Sequence, residues 1–547
     1  MKSKWHNEYE VNCALKNIKA GSIETHRDMS KKKIAVIGAG NTGMVSIAML
    51  KEEGLEPVCF EKTSKPGGTW YYREETEDGV PSIMPTTIIN HSKEMGAFSN
   101  FPPSEHYNNY MRHFELYQYF MEYWNTKDCL RHVKVNMETI SVVRAEDYEM
   151  SGQWVVTVRS TLTGEITSDI FDGVMVCVGH INRPKMPTYP GQERFKGKII
   201  HSHSLKGVAE YQGQVVAVVG MGCSALDAAV EISHVAKQVY LSTKTGAYIM
   251  TRVGPKGYPM DYVLLRRYMT FFLDYLPRDA CSKYIEMKYL NPKFDHKMYS
   301  VQPSYHMFSK DPVINDHIGS KLLSGSVIQK TDIAHFTEDG ILFKGDDHIT
   351  KIDSVIMATG YTWKFPLLEE GIVLQEDGVI NLYKCIFPPQ LRHPTLAIMG
   401  FILVFGPGFP VSEMQARWVS QVLMGKKTLP SQKVMEKDVR SRYKTNSKKY
   451  APNDKMSIRV DYVQYMDEIA YLIGARPNFW KMFFTDIKLY WRLVWGPALA
   501  YQYRLKGPHK WKGARQAILT SKQRLLSPLH RNRDNRNQVH VNLAYSS

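Results

Sequence analysis

The chain has 547 residues, enough for roughly two to four domains. Hydrophobic residues make up 43% of it and charged residues 23%, a composition that excludes a disordered or fibrous protein and provides for a large core. Its 70 lysines and arginines against 54 aspartates and glutamates give a formal net charge of +16, which favours anionic partners such as nucleotide cofactors, membrane surfaces or nucleic acid.

No two of the seven cysteines form a C-x-x-C pair, so a zinc ribbon, a thioredoxin-like motif and a disulfide framework lack support. We therefore expect a reducing compartment. The segment over residues 1–33 is polar and has no apolar core, so we expect no secretory signal. The longest uncharged run, residues 394–412, contains glycines and prolines that would break a spanning helix. It predicts a buried strand followed by a loop, and we expect no transmembrane segment.

After an N-terminal extension over residues 1–31, the chain enters a predicted β-α-β unit, with a strand over 33–38, a helix over 42–53 and a strand over 57–61. Its first turn reads Gly38-Ala39-Gly40-Asn41-Thr42-Gly43. Such glycines allow a tight turn, a close approach to a pyrophosphate and close packing of the helix on the strand. Glu61 ends the second strand, where an acid can accept hydrogen bonds from a ribose hydroxyl. The unit predicts a dinucleotide site.

A second β-α-β unit follows downstream, with strands over 215–220 and 238–243 and a helix over 224–234. Its turn reads Gly220-Met221-Gly222-Cys223-Ser224-Ala225, with alanine accepted at the third position. Thr243 and Lys244 stand where the first unit has its acid. A neutral residue beside a cation suits a 2′-phosphate, because like-charge repulsion is removed and a positive charge is supplied. The second site should therefore prefer NADP to NAD.

An acid in the first site and a base in the second indicate FAD first and NADPH second. The block that contains Gly67, Gly68, Thr69 and Trp70 supports FAD, since paired glycines let the backbone pass close to a ribityl chain or pyrophosphate. A strand followed by a small-residue turn, residues 353–361, is suited to return the chain to the first domain. These motifs predict hydride transfer from NADPH to FAD and leave the next electron acceptor open.

The predicted fold class is α/β, with two Rossmann-like dinucleotide-binding domains, the NADP domain being inserted into the FAD domain. We expect the FAD domain over 32–187 and again over 358–480, the NADP domain over 188–357, and a basic C-terminal segment over 481–547. The NADP domain carries an amphipathic helical insertion over about 245–313. The amphipathic stretches over 262–276 and 483–495 are compatible both with packing on the core and with contact to a membrane surface.

The chain resembles the animal-type flavin-containing monooxygenases, the family that forms N-oxides and S-oxides, from about residue 32 to residue 526. The two glycine turns and the Gly-Gly block carry much of this resemblance. The other motifs that carry it are Cys59-Phe-Glu61-Lys62, Ser92-Lys-Glu-Met95, Val174-Met-Val-Cys-Val-Gly-His180, Ala358-Thr-Gly-Tyr361, Phe387-Pro-Pro389, Ala416-Arg-Trp418 and Gly513-Ala-Arg515-Gln-Ala-Ile-Leu519.

The resemblance implies contacts for individual residues. Asn90 is the implied catalytic residue, because its side-chain amide would hold NADP⁺ beside the flavin and support the oxygenated cofactor. A motif shared by the family appears as Phe195-x-Gly197-x-x-x-His201, and we interpret it as an interdomain linker with a structural histidine. The implied FAD contacts are Gly38, Ala39, Gly40, Asn41, Thr42, Glu61, Thr69, Trp70, Asn90 and His91; the implied NADP contacts are Ile89, Asn90, Ser224, Ala225, Leu226 and Asp227.

Four departures from the family pattern concern coupling, cofactor affinity and membrane anchoring. Leu205 replaces an aromatic residue at the end of the linker motif, and Cys223 stands where asparagine is common. Lys244 replaces a usual arginine, and it lacks the bidentate fork that arginine offers to a phosphate. Vertebrate members end in an apolar anchor helix, whereas the segment after Leu526 is polar here, so we expect no such anchor.

The implied function is an NADPH- and O2-dependent monooxygenase that oxygenates a soft nucleophilic nitrogen or sulfur atom of a small amine or sulfide through a flavin C4a-hydroperoxide. A Baeyer–Villiger-type oxygenase, an NADPH oxidase and a non-catalytic membrane-surface relative remain alternatives. A flavin disulfide reductase is rejected, because no cysteine lies between Cys59 and Cys129.

Partners and location follow from the same resemblance. We expect no nucleic-acid partner, since the basic residues form no recognisable reader motif. Peripheral membrane association and a homo-oligomer are left open. The implied location is the surface of the endoplasmic reticulum, with a cytoplasmic pool as the alternative.

Overall fold

The computed structural model describes residues 31–373, 380–451 and 456–530. The predicted N-terminal extension therefore lies outside the described residues except for Lys31, and so does the tail from residue 531 onward. In the described ranges no helix combines the length and the apolar character needed to cross a membrane.

The strands of the described residues are β1 (Lys33–Ile37), β2 (Glu56–Phe60), β3 (Val133–Lys134), β4 (Met137–Arg144), β5 (Trp154–Ser160), β6 (Ile166–Phe171), β7 (Gly173–Val176), β8 (Lys198–His201), β9 (Val215–Val219), β10 (Gln238–Ser242), β11 (Ile249–Met250), β12 (Val313–Ile314), β13 (Val327–Lys330), β14 (Ile333–Phe336), β15 (Gly340–Phe343), β16 (Thr350–Lys351), β17 (Ser354–Met357), β18 (Leu396–Ile398), β19 (Leu403–Phe405) and β20 (Arg459–Asp461).

The α-helices of the described residues are α1 (Asn41–Glu53), α2 (His113–Thr126), α3 (Tyr148–Ser151), α4 (Cys223–Ile232), α5 (Met260–Leu264), α6 (Arg267–Tyr275), α7 (Arg278–Ile285), α8 (Ile318–Leu323), α9 (Gly408–Leu423), α10 (Gln432–Lys449), α11 (Tyr462–Leu472), α12 (Phe479–Thr485), α13 (Ile487–Trp495) and α14 (Ala514–Leu526).

Two five-stranded parallel sheets organise the molecule, which confirms the predicted α/β class. The first has the order β18-β7-β1-β2-β3 and the second the order β13-β10-β9-β17-β8. Both central strands, β1 and β9, are almost wholly buried runs of aliphatic residues, as expected for strands covered on two faces. Each of them leads into a glycine turn and then a helix, α1 in the first sheet and α4 in the second. The carboxyl ends of the parallel strands therefore carry both candidate sites.

The return of the chain from the second sheet to the first follows β17. This strand pairs with β8 and β9, and the next strand of the first sheet is β18 beside β7. The uncharged run over 394–412 supplies β18, which is buried as predicted, and also β19, which is only half-buried. Its second half is not a loop as predicted, because Gly408 begins helix α9, which is buried against α1 over nearly its whole length.

The predicted insertion is bounded by a short parallel pair, β11 and β12, which forms a two-stranded sheet of its own, so that the insertion begins and ends at neighbouring strands. Its amphipathic stretch is not one helix but two, α5 and α6, separated at Leu265 and Arg266. The stretch over 483–495 is also broken, at Asp486, whose carboxylate accepts a hydrogen bond from Leu489 N (3.2 Å) and caps α13. The domain boundaries themselves stay a prediction.

Candidate functional site

The first glycine turn forms a cradle with almost no spare room. A Cβ on Gly43 would overlap the carbonyl oxygen of Gly38 and lie 3.0 Å from its carbonyl carbon, so the first turn of α1 crosses β1 at van der Waals distance. The paired-glycine block lies against the same turn, since a Cβ on Gly68 would come within 2.9 Å of Gly40 Cα. Gly67 N donates to Ala39 O (2.9 Å) and fixes this approach. Two glycine segments thus present mainly backbone to the cradle.

Polar groups in the cradle suit FAD. Both side-chain polar atoms of the buried Asn41 lack a hydrogen-bond partner, an arrangement that is costly unless a ligand completes it. Helix α1 begins after Gly40 with no side-chain cap, so its first N–H groups face outward as they do at phosphate sites. The Glu61 carboxylate, at the end of β2, accepts from Ala39 N (2.7 Å) and Thr63 N (3.0 Å). An acid held this close to the turn is suited to a ribose hydroxyl.

An aromatic group lies beside the cradle. Trp70 meets Phe409 edge to face at 6.0 Å, and His91 meets the same ring at 4.9 Å. The His91 ring occupies the space over Gly96, where a Cβ would collide with it. Burial lowers the pKa of His91 to about 4, so the imidazole is neutral at physiological pH.

The second glycine turn repeats these features in a looser form. A Cβ on Gly220 would overlap the carbonyl oxygen of Ala358, which brings the turn against the end of β17. Helix α4 begins after Gly222 without a side-chain cap, and nothing lies within 4 Å of the Gly222 Cβ position. Ser224 is exposed there, whereas Ala225 and Leu226 are buried in the core beneath. The turn can therefore receive a pyrophosphate, but only Ser224 of these three presents its side chain.

Lys244 lies beyond the end of β10 with its side chain 65% exposed. Its ammonium is 3.8 Å from the Asp332 carboxylate and 5.8 Å from the Tyr189 ring. A charge this exposed and this loosely paired is free to turn toward a 2′-phosphate. The neighbouring acid would compete for it, a feature that the sequence did not indicate.

A cavity of about 330 Å³ lies beside the second glycine turn, and its lining joins residues from both sets of predicted contacts. From the FAD side it receives Trp70, Ile89, Asn90 and His91; from the NADP side it receives Cys223, Ser224 and Asp227. Its remaining walls are largely apolar, with Met84, Ile88, Leu205, Tyr361 and Phe409. A larger open groove, of 1020 Å³, is lined by α6, α10 and α11 and contains none of the predicted residues, so we place the candidate site in the smaller cavity.

Asp227 is the ionisable group of this cavity on α4. Burial raises its pKa to about 6, and Asn315 Nδ2 donates to its Oδ1 atom (2.8 Å). Asn90 points its Nδ2 atom at Cys223 Sγ (3.6 Å), so the loop with Asn90 touches the start of α4. The two predicted cofactor regions are in direct contact at this point.

Arg252 and Asp261 of the insertion, and Asp316 just after it, hold the loop around Asn90, and no sequence motif indicated them. Arg252 Nη2 donates to Asn90 Oδ1 (2.8 Å), and Arg252 Nη1 pairs with Asp316 Oδ2 (2.8 Å). Asp261 Oδ2 accepts from the backbone N (2.6 Å) and hydroxyl (3.0 Å) of Ser92. Burial raises the pKa of Asp261 to about 6. The sequence signal that could have indicated Arg252 and Asp316 is that each is a charged residue two positions after the end of β11 or β12.

The linker motif includes β8, the edge strand of the second sheet beside β17. His201 Nε2 is 3.1 Å from Gly360 O, and its Nδ1 accepts from His203 N (3.0 Å). Burial lowers the pKa of His201 to about 4, which agrees with a structural rather than a proton-transferring role. Leu205, the residue that departs from the family pattern, is buried in the core of the second sheet and reaches the cavity wall.

Comparison with known proteins agrees with this arrangement. The model of the flavin-binding monooxygenase-like family matches residues 31–546. The chain belongs to this family. It is similar to flavin-containing monooxygenase 5 of Rattus norvegicus, with 43% identity over 503 residues that cover 92% of this chain and 94% of the rat protein.

Two solved structures share the fold. S-allyl-L-cysteine S-oxygenase from Allium sativum matches with a TM-score of 0.62 at 23% identity, over 90% of this chain and 99% of its own. Cyclohexanone monooxygenase from Rhodococcus sp. Phi1, bound to NADP⁺, matches with a TM-score of 0.58 at 16% identity, over 81% of this chain and 98% of its own.

The predictions of the family, of a flavin-dependent monooxygenase and of FAD and NADP as its cofactors are confirmed at the level of the family. A small-molecule substrate and O2 follow from membership of a monooxygenase family. The roles of individual residues stay predictions.

Proposed function

We propose that this flavin monooxygenase uses NADPH and O2 to oxygenate a soft nucleophilic nitrogen or sulfur atom of a small amine or sulfide. The observation that carries the proposal is one cavity whose walls come both from Trp70 and the loop with Asn90 and from the second glycine turn, with the Asn90 amide in contact with Cys223 of that turn. Apolar walls and a few polar groups suit a small, weakly polar substrate. Bound FAD supplies the hydride acceptor for NADPH and the activation of O2.

In this proposal the chain binds and orients the two cofactors and the substrate, and it excludes water from them. The backbone of Gly38–Gly43 and the Glu61 carboxylate hold FAD, and Asn41 completes its hydrogen bonds on it. Gly220, Gly222 and Ser224 hold the pyrophosphate of NADP, with Lys244 turned toward its 2′-phosphate. Asn90 donates to the nicotinamide end, and Trp70, His91 and Phe409 shield the flavin from solvent. No side chain has to serve as nucleophile, because the substrate supplies its own lone pair.

Turnover with defined substrates tests the proposal against its alternatives. Purified protein with NADPH and O2 should convert a thioether and a tertiary amine to their oxides, with nearly one product formed per NADPH consumed. Hydrogen peroxide as the only product would instead indicate an NADPH oxidase. Ester formation from a ketone, without oxidation of the thioether, would indicate a Baeyer–Villiger oxygenase. No NADPH consumption by the FAD-loaded protein would support a non-catalytic relative.

The insertion and the C-terminal helices expose a surface that supports peripheral membrane contact at the endoplasmic reticulum. Helices α6, α12 and α13 lie side by side, and the ring of Tyr268 on α6 contacts that of Trp495 on α13 at 4.8 Å in a tilted arrangement. The basic residues Lys481 and Lys488 accompany this surface, as is typical of helices that lie on anionic lipid. We call this surface the aromatic face, and its exposed members are Phe271, Phe272, Tyr275, Trp480, Phe483, Phe484, Trp491 and Trp495.

Vesicle flotation tests the aromatic face. Full-length protein should float with vesicles of phosphatidylcholine and phosphatidylserine, and the triple variant Trp480→Ser, Phe484→Ser, Trp491→Ser should stay in the soluble fraction. The matched control is Met150→Ser with Leu162→Ser, two side chains that are equally exposed but lie outside the aromatic face. Equal flotation of the triple variant and the wild type would refute this surface. Failure of wild type to float would favour a cytoplasmic pool.

A further inference from the structure

The Arg252 guanidinium hydrogen-bonds residues 88–90, which we call the cavity loop, and the Arg252 side chain is only 10% exposed. Its Nε atom donates to Ile89 O (3.1 Å), and its Nη2 atom donates to Ile88 O (3.1 Å) and to Asn90 Oδ1 (2.8 Å). Three consecutive residues of the loop thus share one fork of donors.

Asp316 and Tyr110 in turn fix the position of Arg252. Arg252 Nη1 pairs with Asp316 Oδ2 (2.8 Å), and the backbone N of Arg252 donates to Asp316 Oδ1 (2.7 Å). Tyr110 OH donates to Arg252 O (2.8 Å). Arg252 follows β11 and Asp316 follows β12, so the two strands that bound the insertion deliver both partners together.

The chemistry of arginine decides how the Asn90 amide is turned. A guanidinium has donors and no acceptor, so the amide atom that faces Arg252 must be the oxygen. The amide nitrogen of Asn90 then points away from Arg252, toward Cys223 and the cavity, and its Nδ2 atom lies 3.6 Å from Cys223 Sγ. Asn90 is exposed, so without this partner its amide could rotate or turn over at little cost.

We propose that Arg252 is a positioning residue, which fixes the Asn90 amide with its NH2 group toward the cavity and thereby sets how much NADPH is spent on product rather than on hydrogen peroxide. This inference rests on the proposed function, in which Asn90 contacts NADP beside the flavin. It assigns to the insertion, through β11 and β12, direct control of the candidate catalytic amide.

The decisive variant is Arg252→Lys, studied in the FAD-loaded, full-length enzyme. Lysine keeps the charge but presents a single ammonium, which cannot span the three acceptors that the fork serves. Loss of one charge-assisted hydrogen bond corresponds to about a tenfold change in an equilibrium. We therefore expect the ratio of hydrogen peroxide to oxygenated product to rise about tenfold, with FAD content unchanged. Asp316→Asn, which leaves the fork in place but loosens it, should raise the ratio less.

Two further measurements separate positioning from a general structural effect. Amide hydrogen exchange over residues 87–92 should accelerate about tenfold in Arg252→Lys and stay unchanged in the control Lys283→Ala, an exposed lysine of the same insertion. In a double-mutant cycle, Arg252→Lys should have no additional effect on the peroxide ratio when Asn90 is already alanine, since it acts through that amide.

The outcomes distinguish this inference from the proposed function. A peroxide ratio within twofold of wild type in both Arg252→Lys and Asp316→Asn would overturn the inference. An equal effect of Arg252→Lys with and without the Asn90 side chain would overturn it as well. A normal ratio in Asn90→Ala alone would remove the proposed role of Asn90 and the inference with it, while oxide formation would still support the monooxygenase.

Discussion

Replacement of Gly43 by alanine tests whether the first glycine turn is the FAD site. Gly43 has an ordinary backbone conformation, so any effect of the substitution must come from lack of space. The new methyl group would overlap the carbonyl oxygen of Gly38, a backbone atom that cannot swing aside. Helix α1 would have to move away from β1 by roughly 1 Å, the scale of shift that overpacked cores show.

The expected magnitude follows from what the shift displaces. The unpaired N–H groups at the start of α1 are the proposed donors to the FAD pyrophosphate, and each such bond to a charged group contributes about 1.5–3 kcal/mol. Loss of two of them would cost about 3–6 kcal/mol and weaken FAD binding by about 10²- to 10⁴-fold. Overpacking itself would lower the free energy of unfolding by about 1–3 kcal/mol.

The assay is flavin content after gel filtration, followed by titration of the apoprotein with FAD through quenching of flavin fluorescence. Gly54→Ala is the matched control, because Gly54 ends the same helix with a φ of 85° and open space around its Cβ position. It should cost about 1–2 kcal/mol of stability through backbone strain and leave FAD affinity unchanged. FAD affinity of Gly43→Ala within threefold of wild type would refute the steric reasoning.

Two other substitutions test electrostatic features. Arg504→Met should lower the free energy of unfolding by about 3–5 kcal/mol. Arg504 is wholly buried and its partner Glu413 is 1% exposed, so the substitution would leave an uncompensated buried carboxylate. Urea denaturation measures the loss, and the control Arg515→Ala, at an exposed arginine, should leave the midpoint unchanged. For Asp227, burial raises the folded-state pKa from 3.8 to about 6, so ionisation costs stability as pH rises through this range. The stability of Asp227→Asn relative to wild type should therefore increase by up to about 3 kcal/mol between pH 4 and pH 7, and a pH-independent difference would contradict the shift.

The two cofactor cradles could be predicted from the sequence because their determinants are local. A buried strand, three small residues at fixed spacing and a helix specify one backbone path, and Gly43 and Gly220 lie where that path leaves no room for a side chain. Element ends agreed to within about two residues for the same reason. Family resemblance added Asn90, which no local pattern distinguishes from an ordinary loop asparagine.

The supports of Asn90 could not be predicted in this way. Arg252, Asp261 and Asp316 lie far from Asn90 in the chain, inside or just after an insertion with no simple periodicity, and only the tertiary fold shows which charges face the loop. The break at Asp486 was within reach, because an aspartate three residues before the first buried leucine of an amphipathic run is a common helix start. Hydrophobic periodicity alone, read without caps, joined the two helices into one.

The ionisable groups around the cavity fit a reaction in which the protein transfers few protons itself. The pKa of His91 falls to about 4, so at neutral pH its imidazole has no proton to give as a cation and serves mainly as a flat apolar surface against Phe409. Burial at the end of β8 holds His201 neutral in the same way. A cavity with a neutral His91 and largely apolar walls keeps water out at modest cost, since no charged ring has to be desolvated. In the proposed function, selectivity for product over peroxide then depends on the geometry of the Asn90 amide, whose oxygen accepts a hydrogen bond from Arg252.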